Sequence, residues 1–207
     1  ELREAYAAFV CRLREALNAE GKPVVAALAP KTSAQQRGLL YEAHDYALLS
    51  KAANAVFLMT YEWGYTFGEP QAIAPLPQVR AVLDYALSVT TGENIFLGAP
   101  LYAYDWPLPY EEGRTRAETL SSQAAVARAR LVGAEIEFDE TAQAPYYRYF
   151  DKARREHVVW FEDARSLRAK IVLAAEKGLQ GIGFWQAGRE LAQAWPLLDA
   201  LVALETL

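Results

Sequence analysis

Hydrophobic positions follow two alternating patterns along the chain. Short continuous apolar runs, which are typical of strands covered on both faces, occur in "VVAALAP", "AVFLMT", "NIFLGAPLY" and "GIGFW". Apolar residues with a helical period predict helices in "ELREAYAAFVCRLREALNAEGKP", "YEAHDYALLSKAAN", "PQVRAVLDYALSV", "DARSLRAKIVLAAEKG" and "WPLLDALVAL". This alternation of strands and helices predicts a parallel α/β chain.

For two of the predicted helices, the sequence also indicates where the helix ends, and for the first it indicates an apolar face. The first is predicted to end at Gly21 and Pro23. Its apolar face is predicted to hold Leu2, Tyr6, Phe9, Leu13 and Leu17. The helix in "DARSLRAKIVLAAEKG" has Asp163 as the predicted N-cap and Gly178 as the predicted C-cap.

One segment interrupts the alternation. "LSSQAAVARARLVG" has a helical pattern, whereas "AEIEFDE", "PYYRYFD" and "EHVVWF" have the pattern of short strands separated by turn residues. We interpret this segment as an inserted α+β lobe over about residues 110–162, within one domain that spans residues 1–207.

Composition narrows the class of ligand. The 207 residues include 21 Lys plus Arg and 26 Asp plus Glu, for a net charge of −5, so we expect no nucleic acid partner. We also expect no membrane, because no apolar run approaches the roughly 18 residues of a span. The single cysteine, Cys11, fits a buried apolar position better than a reactive thiol. The negative net charge therefore favours small or neutral ligands.

The chemistry is expected where parallel strands end, since ligands of such sheets bind beyond the carboxyl ends. The residues at these ends are Ala29, Pro30 and Lys31; Tyr61, Glu62 and Trp63; Tyr102, Tyr104, Asp105 and Trp106; and Trp185 and Gln186. Aromatic rings beside hydroxyls and carboxylates suit a sugar, whose C–H faces stack on rings. Taken one at a time, any of these aromatics could equally cap the sheet.

Other catalytic arrangements lack support in the sequence. The two histidines, His44 and His157, have no metal-ligand spacing and are predicted to be surface or packing residues. There is no phosphate-binding loop, no dinucleotide fingerprint and no G-x-S-x-G motif. We therefore expect neither a metal nor a cofactor.

Six motifs together resemble a known family. "ALAPKTS", "LMTYEWGY", "LGAPLYAYDW", "TAQAPYYRYFD", "VWFEDARSL" and "GIGFWQAG", in this order, resemble the C-terminal half of glycoside hydrolase family 18, in particular its spore-germination and cortex-lytic branch. The resemblance implies strands five to eight of a TIM (β/α)8 barrel. It also implies hydrolysis of β-1,4 bonds next to N-acetylglucosamine, in chitin or peptidoglycan glycans.

The resemblance assigns roles to particular residues. The family's Met-x-Tyr-Asp motif falls on Met59, Tyr61 and Glu62, with Glu62 replacing the commoner Asp. In the implied substrate-assisted, retaining mechanism, Tyr61 orients the acetamido carbonyl that attacks the anomeric carbon, and Glu62 hydrogen-bonds the sugar or its acetamido group. The family's motifs also place Met59 and Trp185 at the substrate, and the strand-end positions add Trp63, Tyr102, Asp105 and Trp106 as residues expected to bind it.

The general acid is not among these residues. The family's D-x-x-D-x-D-x-E signature, which supplies that acid, occurs nowhere in the sequence, and the resemblance places it upstream of Glu1. We therefore expect this chain alone to be inactive. Glu62 and Asp105 end adjacent strands and could form a two-carboxylate site, but this is the less favoured interpretation.

Half a barrel would leave two sheet edges, so a homodimer or complementation by the missing barrel half is expected. Three functions stay open: a fragment of an N-acetylglucosaminidase, a chitinase-like carbohydrate-binding protein without activity, and a structural half-barrel. A spore, cell-envelope or extracellular location is implied by the resemblance only, because no targeting segment is visible.

Overall fold

The computed structural model describes residues 2–189 and 191–201. The helices are α1 Leu2–Asn18, α2 Tyr46–Ala52, α3 Leu76–Val89, α4 Ser122–Val132, α5 Ala164–Glu176 and α6 Ala194–Leu201. The strands are β1 Val25–Leu28, β2 Ala55–Leu58, β3 Ile95–Pro100, β4 Tyr102–Pro107, β5 Glu118–Ser121, β6 Glu137–Asp139, β7 Ala144–Phe150, β8 Glu156–Trp160 and β9 Gly181–Trp185. No helix within these residues is long and apolar enough to cross a bilayer.

The chain divides into two compact units. Unit 1 comprises the described residues of 1–60, 78–98 and 173–183, and unit 2 comprises those of 61–77, 99–172 and 184–207. Each unit has its own core, and each is described separately below.

A four-stranded sheet has the order β1-β2-β3-β9. β1 and β2 run parallel with Val25 opposite Ala55, and β2 and β3 run parallel with Val56 opposite Ile95. The prediction of a parallel α/β arrangement is therefore confirmed for these strands. β1 alternates between exposed and buried residues, and Val25 is 46% exposed, so one face of this strand is uncovered among the described residues.

Polar side chains tie the loops of unit 1 to its core. The Tyr46 hydroxyl donates to the Ala29 carbonyl at 2.6 Å, and buried Lys31 donates to the carbonyls of Tyr41 and His44. The Nδ1 atom of His44 accepts from the Ala29 amide at 2.8 Å. His44 is therefore a packing histidine, as the sequence indicated.

Unit 2 contains an antiparallel sheet with the order β5-β4-β8-β7-β6. One face packs on α4 through a core of Ala103, Leu120, Ala125, Ala129, Tyr147, Val159 and Phe161. The helix and three strands that the sequence predicted in this segment are present. β4 and β5 were not recognised as separate strands, and the lobe limits of 110–162 stay a prediction.

Two helix predictions need correction. In α1 the structure buries Val10, whereas Leu2, Phe9 and Leu13 of the predicted apolar face are exposed. Periodicity shows which residues share a face, but it does not show whether another element covers that face. The second helix begins after Asp45, whose side chain accepts from the Leu48 amide and caps the helix, so residues 41–45 lie outside it.

Both predicted ends of α5 are confirmed. The Asp163 carboxylate accepts from the backbone amides of Arg165 at 2.8 Å and Ser166 at 3.1 Å, as an N-cap does. Gly178 adopts a left-handed conformation with φ of 60°, and its amide donates to the Ala175 carbonyl at 3.0 Å.

Candidate active site

Glu62 occupies a constrained position in unit 2. Its backbone has φ of 71°, a left-handed conformation that is unfavourable for a residue with a side chain, and such positions cluster at functional sites. Glu62 is exposed, yet two phenols hold its carboxylate. Tyr102 donates to Oε1, and the Tyr104 hydroxyl lies 3.0 Å from Oε1 and 3.2 Å from Oε2. An accessible carboxylate is thus fixed in one orientation.

The alternation of side chains along β4 explains why two tyrosines reach the same carboxylate. Residues two apart on a strand point to the same face, so Tyr102, Tyr104 and Trp106 share one face of β4. The Tyr102 and Tyr104 rings meet edge to face with centroids 5.4 Å apart. The strand therefore presents the two hydroxyls as a rigid pair.

The environment keeps these tyrosines protonated. Burial, reinforced by the negative charge of Glu62, raises the pKa of Tyr61 to about 12. Burial and the same carboxylate raise the pKa of Tyr104 to about 12, although a hydrogen bond with Thr66 partly opposes this. The pKa of Tyr102 is raised further, again mainly by burial. All three hydroxyls therefore remain hydrogen-bond donors at neutral pH.

Trp185 is available to a ligand. It ends β9, and its side chain is 53% exposed. Its carbonyl accepts from the Leu101 amide at 2.8 Å, which ties it to the residue just before Tyr102. The Trp185–Gln186 peptide bond is cis. The structure therefore places an exposed indole at a strand end that is hydrogen-bonded to the residue just before the tyrosine pair.

Trp63 and Met59 are less exposed. Trp63 is half-buried, its amide donates to the Ile73 carbonyl at 3.1 Å, and its carbonyl accepts from Gln71. Met59 belongs to unit 1, where it is half-buried and its amide donates to Leu28. The structure brings Tyr61, Glu62 and Tyr102 together, and substrate contact by Trp63 and Met59 stays a prediction.

Burial corrects two of the expected substrate contacts. Trp106 is 0% exposed, and its indole N–H donates to the Gly68 carbonyl at 2.9 Å. Asp105 is 1% exposed and is surrounded by protein donors. Neither side chain can stack on or bind a sugar directly in this structure.

Asp105 lies at the centre of a buried polar network on the opposite face of β4 from Tyr104. Its carboxylate accepts from Arg128, from the Tyr149 hydroxyl at 2.7 Å and from Nδ1 of His157 at 2.7 Å. Arg128 also contacts Glu118 at 2.8 Å. This network joins β4 to α4, β7 and β8.

The same geometry argues against a two-carboxylate active site. Glu62 contacts the face of β4 that carries Tyr102 and Tyr104, whereas Asp105 points to the other face. A pair of carboxylates that flanks one glycosidic bond must face a common space. Glu62 and Asp105 do not, so that alternative is wrong.

Arg128, Tyr149 and His157 were not recognised as partners of Asp105 from the sequence. The alternation in "YAYDW" already indicated that Asp105 faces away from both tyrosines. The partners lie 23 to 52 residues away along the chain, so nothing local pointed to them.

A search against known protein families matches residues 1–190 to Glycosyl hydrolases family 18. The chain belongs to this family. Within the described residues there is no group of three or more His, Cys, Asp or Glu side chains that could hold a metal ion.

Two relatives match this chain over nearly its whole length. The chain is 48% identical to the cortical fragment-lytic enzyme of Bacillus subtilis strain 168, over 95% of this chain and 46% of that protein. It matches the crystal structure of the Bacillus cereus spore cortex-lytic enzyme SleL with a TM-score of 0.92 and 42% identity, over 97% of this chain and 46% of that one. The chain thus spans about half the length of the curated relatives it matches.

A more distant structure agrees in fold. A chitinase from Chromobacterium violaceum superposes with a TM-score of 0.88 over 98% of this chain and 62% of that one, at 24% identity. This similarity concerns the α/β fold alone.

Proposed function

We propose that these residues form strands five to eight of a family 18 (β/α)8 barrel. The complete barrel would hydrolyse β-1,4 bonds next to N-acetylglucosamine in spore-cortex peptidoglycan or chitin-type glycans. The cortex-lytic relatives at 48% and 42% identity and the parallel order of β1, β2 and β3 support this proposal. The observation that carries it is the exposed Glu62 carboxylate, fixed by Tyr102 and Tyr104 next to buried Tyr61.

These side chains fit a substrate-assisted reaction. In such a reaction the acetamido carbonyl oxygen bonds to the anomeric carbon, the glycosidic bond breaks, and the leaving oxygen takes a proton from a glutamic acid. The acetamido nitrogen then carries positive charge in an oxazolinium ring. Glu62 can accept a hydrogen bond from that N–H, and Tyr61 can donate to the carbonyl oxygen. Water attack on the anomeric carbon restores the acetamido group with retention.

Tyr61→Phe in the complete enzyme is expected to lower kcat about tenfold to a hundredfold and to change KM by less than about threefold. The hydroxyl would align the attacking oxygen, so its hydrogen bond counts more in the transition state than in the ground state. Steady-state kinetics on a chromogenic N-acetylglucosamine oligomer measure both constants.

Tyr85→Phe is the matched control, because it makes the same chemical change on α3 in unit 1. An unchanged kcat in Tyr61→Phe would reduce Tyr61 to a packing residue. Trp185→Ala, in contrast, is expected to raise KM and to leave kcat nearly unchanged, since stacking area is lost equally in the ground and transition states.

A carbohydrate-binding protein without activity is the second candidate. Its support is that the exposed Trp185 indole and the exposed Glu62 carboxylate can bind a sugar without a general acid. Hydrolysis by the complete protein would exclude this candidate. Binding of N-acetylglucosamine oligomers without any hydrolysis would establish it.

Exposed apolar residues in unit 1 lead to a prediction about assembly. Phe9 and Val25 are 54% and 46% exposed, and Leu13 is also exposed. Such surface commonly marks an interface, so we expect these 207 residues alone to self-associate, most simply as a two-fold dimer. Light scattering measures the mass. A polypeptide that supplies the rest of the barrel should convert the assembly to a one-to-one complex, and a stable monomer that binds no hydrophobic dye would contradict the proposal.

A further inference from the structure

Unit 2 contains a cavity that lies on the other side of the antiparallel sheet from Glu62. Its volume is about 490 Å³, within the usual range for ligand sites. Part of its wall is the core between α4 and the face of β4 that carries Ala103, whereas Glu62 contacts the opposite face of β4. We define this α4 cavity by six residues of its wall, namely Ser122, Val126, Arg130, Ile136, Phe161 and Glu162.

Two buried polar atoms in the wall of the α4 cavity have no hydrogen-bond partner among the described residues. They are Oγ of Ser122, which is 1% exposed, and Oε1 of Glu162, which is 0% exposed. Ser166 does not supply the donor that Glu162 needs, because its hydroxyl already donates to the Asp163 carbonyl at 3.0 Å. Buried polar groups in native proteins nearly always have partners, so these two atoms indicate a ligand.

Charge limits what can bind at the buried end of the α4 cavity. The other carboxylate oxygen of Glu162 accepts from Lys170 at 2.8 Å, and both side chains are fully buried. Lys170 would repel a cationic ligand there, and Glu162 would repel an anionic one. A neutral N–H group can donate to Glu162, and a carbonyl oxygen can accept from the Ser122 hydroxyl. An amide group supplies both.

The exposed part of the wall carries a positive charge that is available to a ligand. Arg130 is exposed and forms no ion pair with any of the described residues. Arg165, the other arginine of the wall, is already paired with Asp163 at 2.8 Å. A ligand carboxylate can therefore pair with Arg130. Much of the remaining wall is apolar, which suits a ligand with an apolar side chain.

We propose that the α4 cavity binds an amide that carries an apolar side chain and ends in a carboxylate. This chemistry is that of an N-acylated amino acid and of the last residue of a peptide. The amide N–H donates to Glu162, the carbonyl oxygen accepts from Ser122, and the carboxylate pairs with Arg130. The inference goes beyond the proposed function, because it assigns a second ligand at a site separate from the glycan.

Calorimetric titration of the complete protein with N-acetyl-leucine tests the proposal. N-acetyl-leucinamide, which lacks the carboxylate, is expected to bind about tenfold more weakly. Arg130→Gln is expected to weaken the binding of N-acetyl-leucine about tenfold and that of N-acetyl-leucinamide less than about twofold. Arg168→Gln is the matched control, because Arg168 is an exposed arginine of the same unit and does not line the cavity.

A tetrapeptide that ends in leucine distinguishes the two sources of the ligand. Tighter binding of the tetrapeptide than of N-acetyl-leucine would assign the cavity to a peptide C-terminus. Equal or weaker binding would assign it to a small acylated amino acid.

Ser122→Ala separates binding from packing. It is expected to weaken the binding of both leucine derivatives about fivefold and to leave Tm unlowered, because the Ser122 hydroxyl has no protein partner to lose. A fall in Tm with unchanged affinity would assign the hydroxyl a structural role and contradict the proposal.

Three further results would overturn the proposal: no binding of N-acetyl-leucine at millimolar concentration, equal affinities for the acid and the amide, or an equal loss in Arg168→Gln. A saturating N-acetylglucosamine oligomer is expected to leave the binding of N-acetyl-leucine unchanged, since the two sites lie on opposite faces of β4. Displacement by the oligomer would also contradict the assignment. None of these readouts depends on hydrolysis, so they test the cavity independently of the proposed function.

Discussion

The 207-residue polypeptide on its own is expected to give no measurable hydrolysis of a chromogenic N-acetylglucosamine oligomer. Its sequence contains no D-x-x-D-x-D-x-E motif, which in the proposed mechanism supplies the general acid. Without that acid the leaving oxygen must depart unprotonated. General-acid assistance typically contributes 10²–10⁴-fold, so the residual rate should fall by at least about a hundredfold.

The measurement compares this polypeptide with the same residues joined to the rest of the barrel. Activity is expected only in the joined form. The decisive control is Glu62→Gln, which removes the charge but keeps the size of the side chain. If the isolated polypeptide turned over substrate and Glu62→Gln abolished that turnover, these 207 residues would hold a complete catalytic site that includes Glu62, and the proposed division of roles would be wrong.

Asp105→Asn is expected to destabilise the protein by about 3 kcal/mol, the lower end of the usual range for removing one partner of a buried ion pair. Asp105 is 1% exposed and accepts hydrogen bonds from Arg128, Tyr149 and His157. Asn keeps the shape but loses the charge, and it turns one acceptor into an NH₂ donor that faces other donors. Arg128 retains Glu118, which limits the loss.

Thermal unfolding followed by tryptophan fluorescence measures this loss, which corresponds to a fall in Tm of about 6–12 °C for a chain of this size. Glu118→Gln is the matched control. It removes the other carboxylate on Arg128, but that carboxylate is 59% exposed, so we expect less than about 1 kcal/mol. Equal losses of stability in the two variants would contradict the prediction, because they would show that the burial of Asp105 does not increase its contribution to stability.

The Asp105 network also bears on the site. Asp105 and Tyr104 are neighbours on β4 and point to opposite faces, so the bonds to α4, β7 and β8 fix the backbone that presents Tyr104 to Glu62. Asp105 is therefore a positioning residue, and its burial contradicts the expectation, drawn from its place after an apolar run, that it contacts substrate.

Much of the fold followed from local patterns. Continuous apolar runs predicted β1, β2, β3 and β9, because strands covered by other elements need apolar side chains on both faces. The cap at Asp163 and the glycine at Gly178 predicted the ends of α5 from rules that act within one turn. β5 was missed, because its four residues lack a pattern of their own and pair only with β4.

The candidate site was predicted in part. Tyr61 and Glu62 could be found because they follow an apolar run and fit a family motif. Trp106 was predicted to bind substrate by similar reasoning, but it is a core residue. The sequence does not distinguish a buried tryptophan from an exposed one. Exposure depends on which segment lies over the ring, here the loop that carries Gly68.

By itself, the sequence determined the family, the alternation of strands and helices and the residues that follow the strands, because these depend on residue type and short-range spacing. Only the tertiary structure decided that Tyr102 and Tyr104 bind Glu62, that Asp105 is enclosed by Arg128 and His157, and that Ser122 and Glu162 line one cavity. These contacts join residues 40 or more positions apart in the case of Tyr102 and His157. They form only when strand register and packing bring distant segments together, and no local pattern encodes that register.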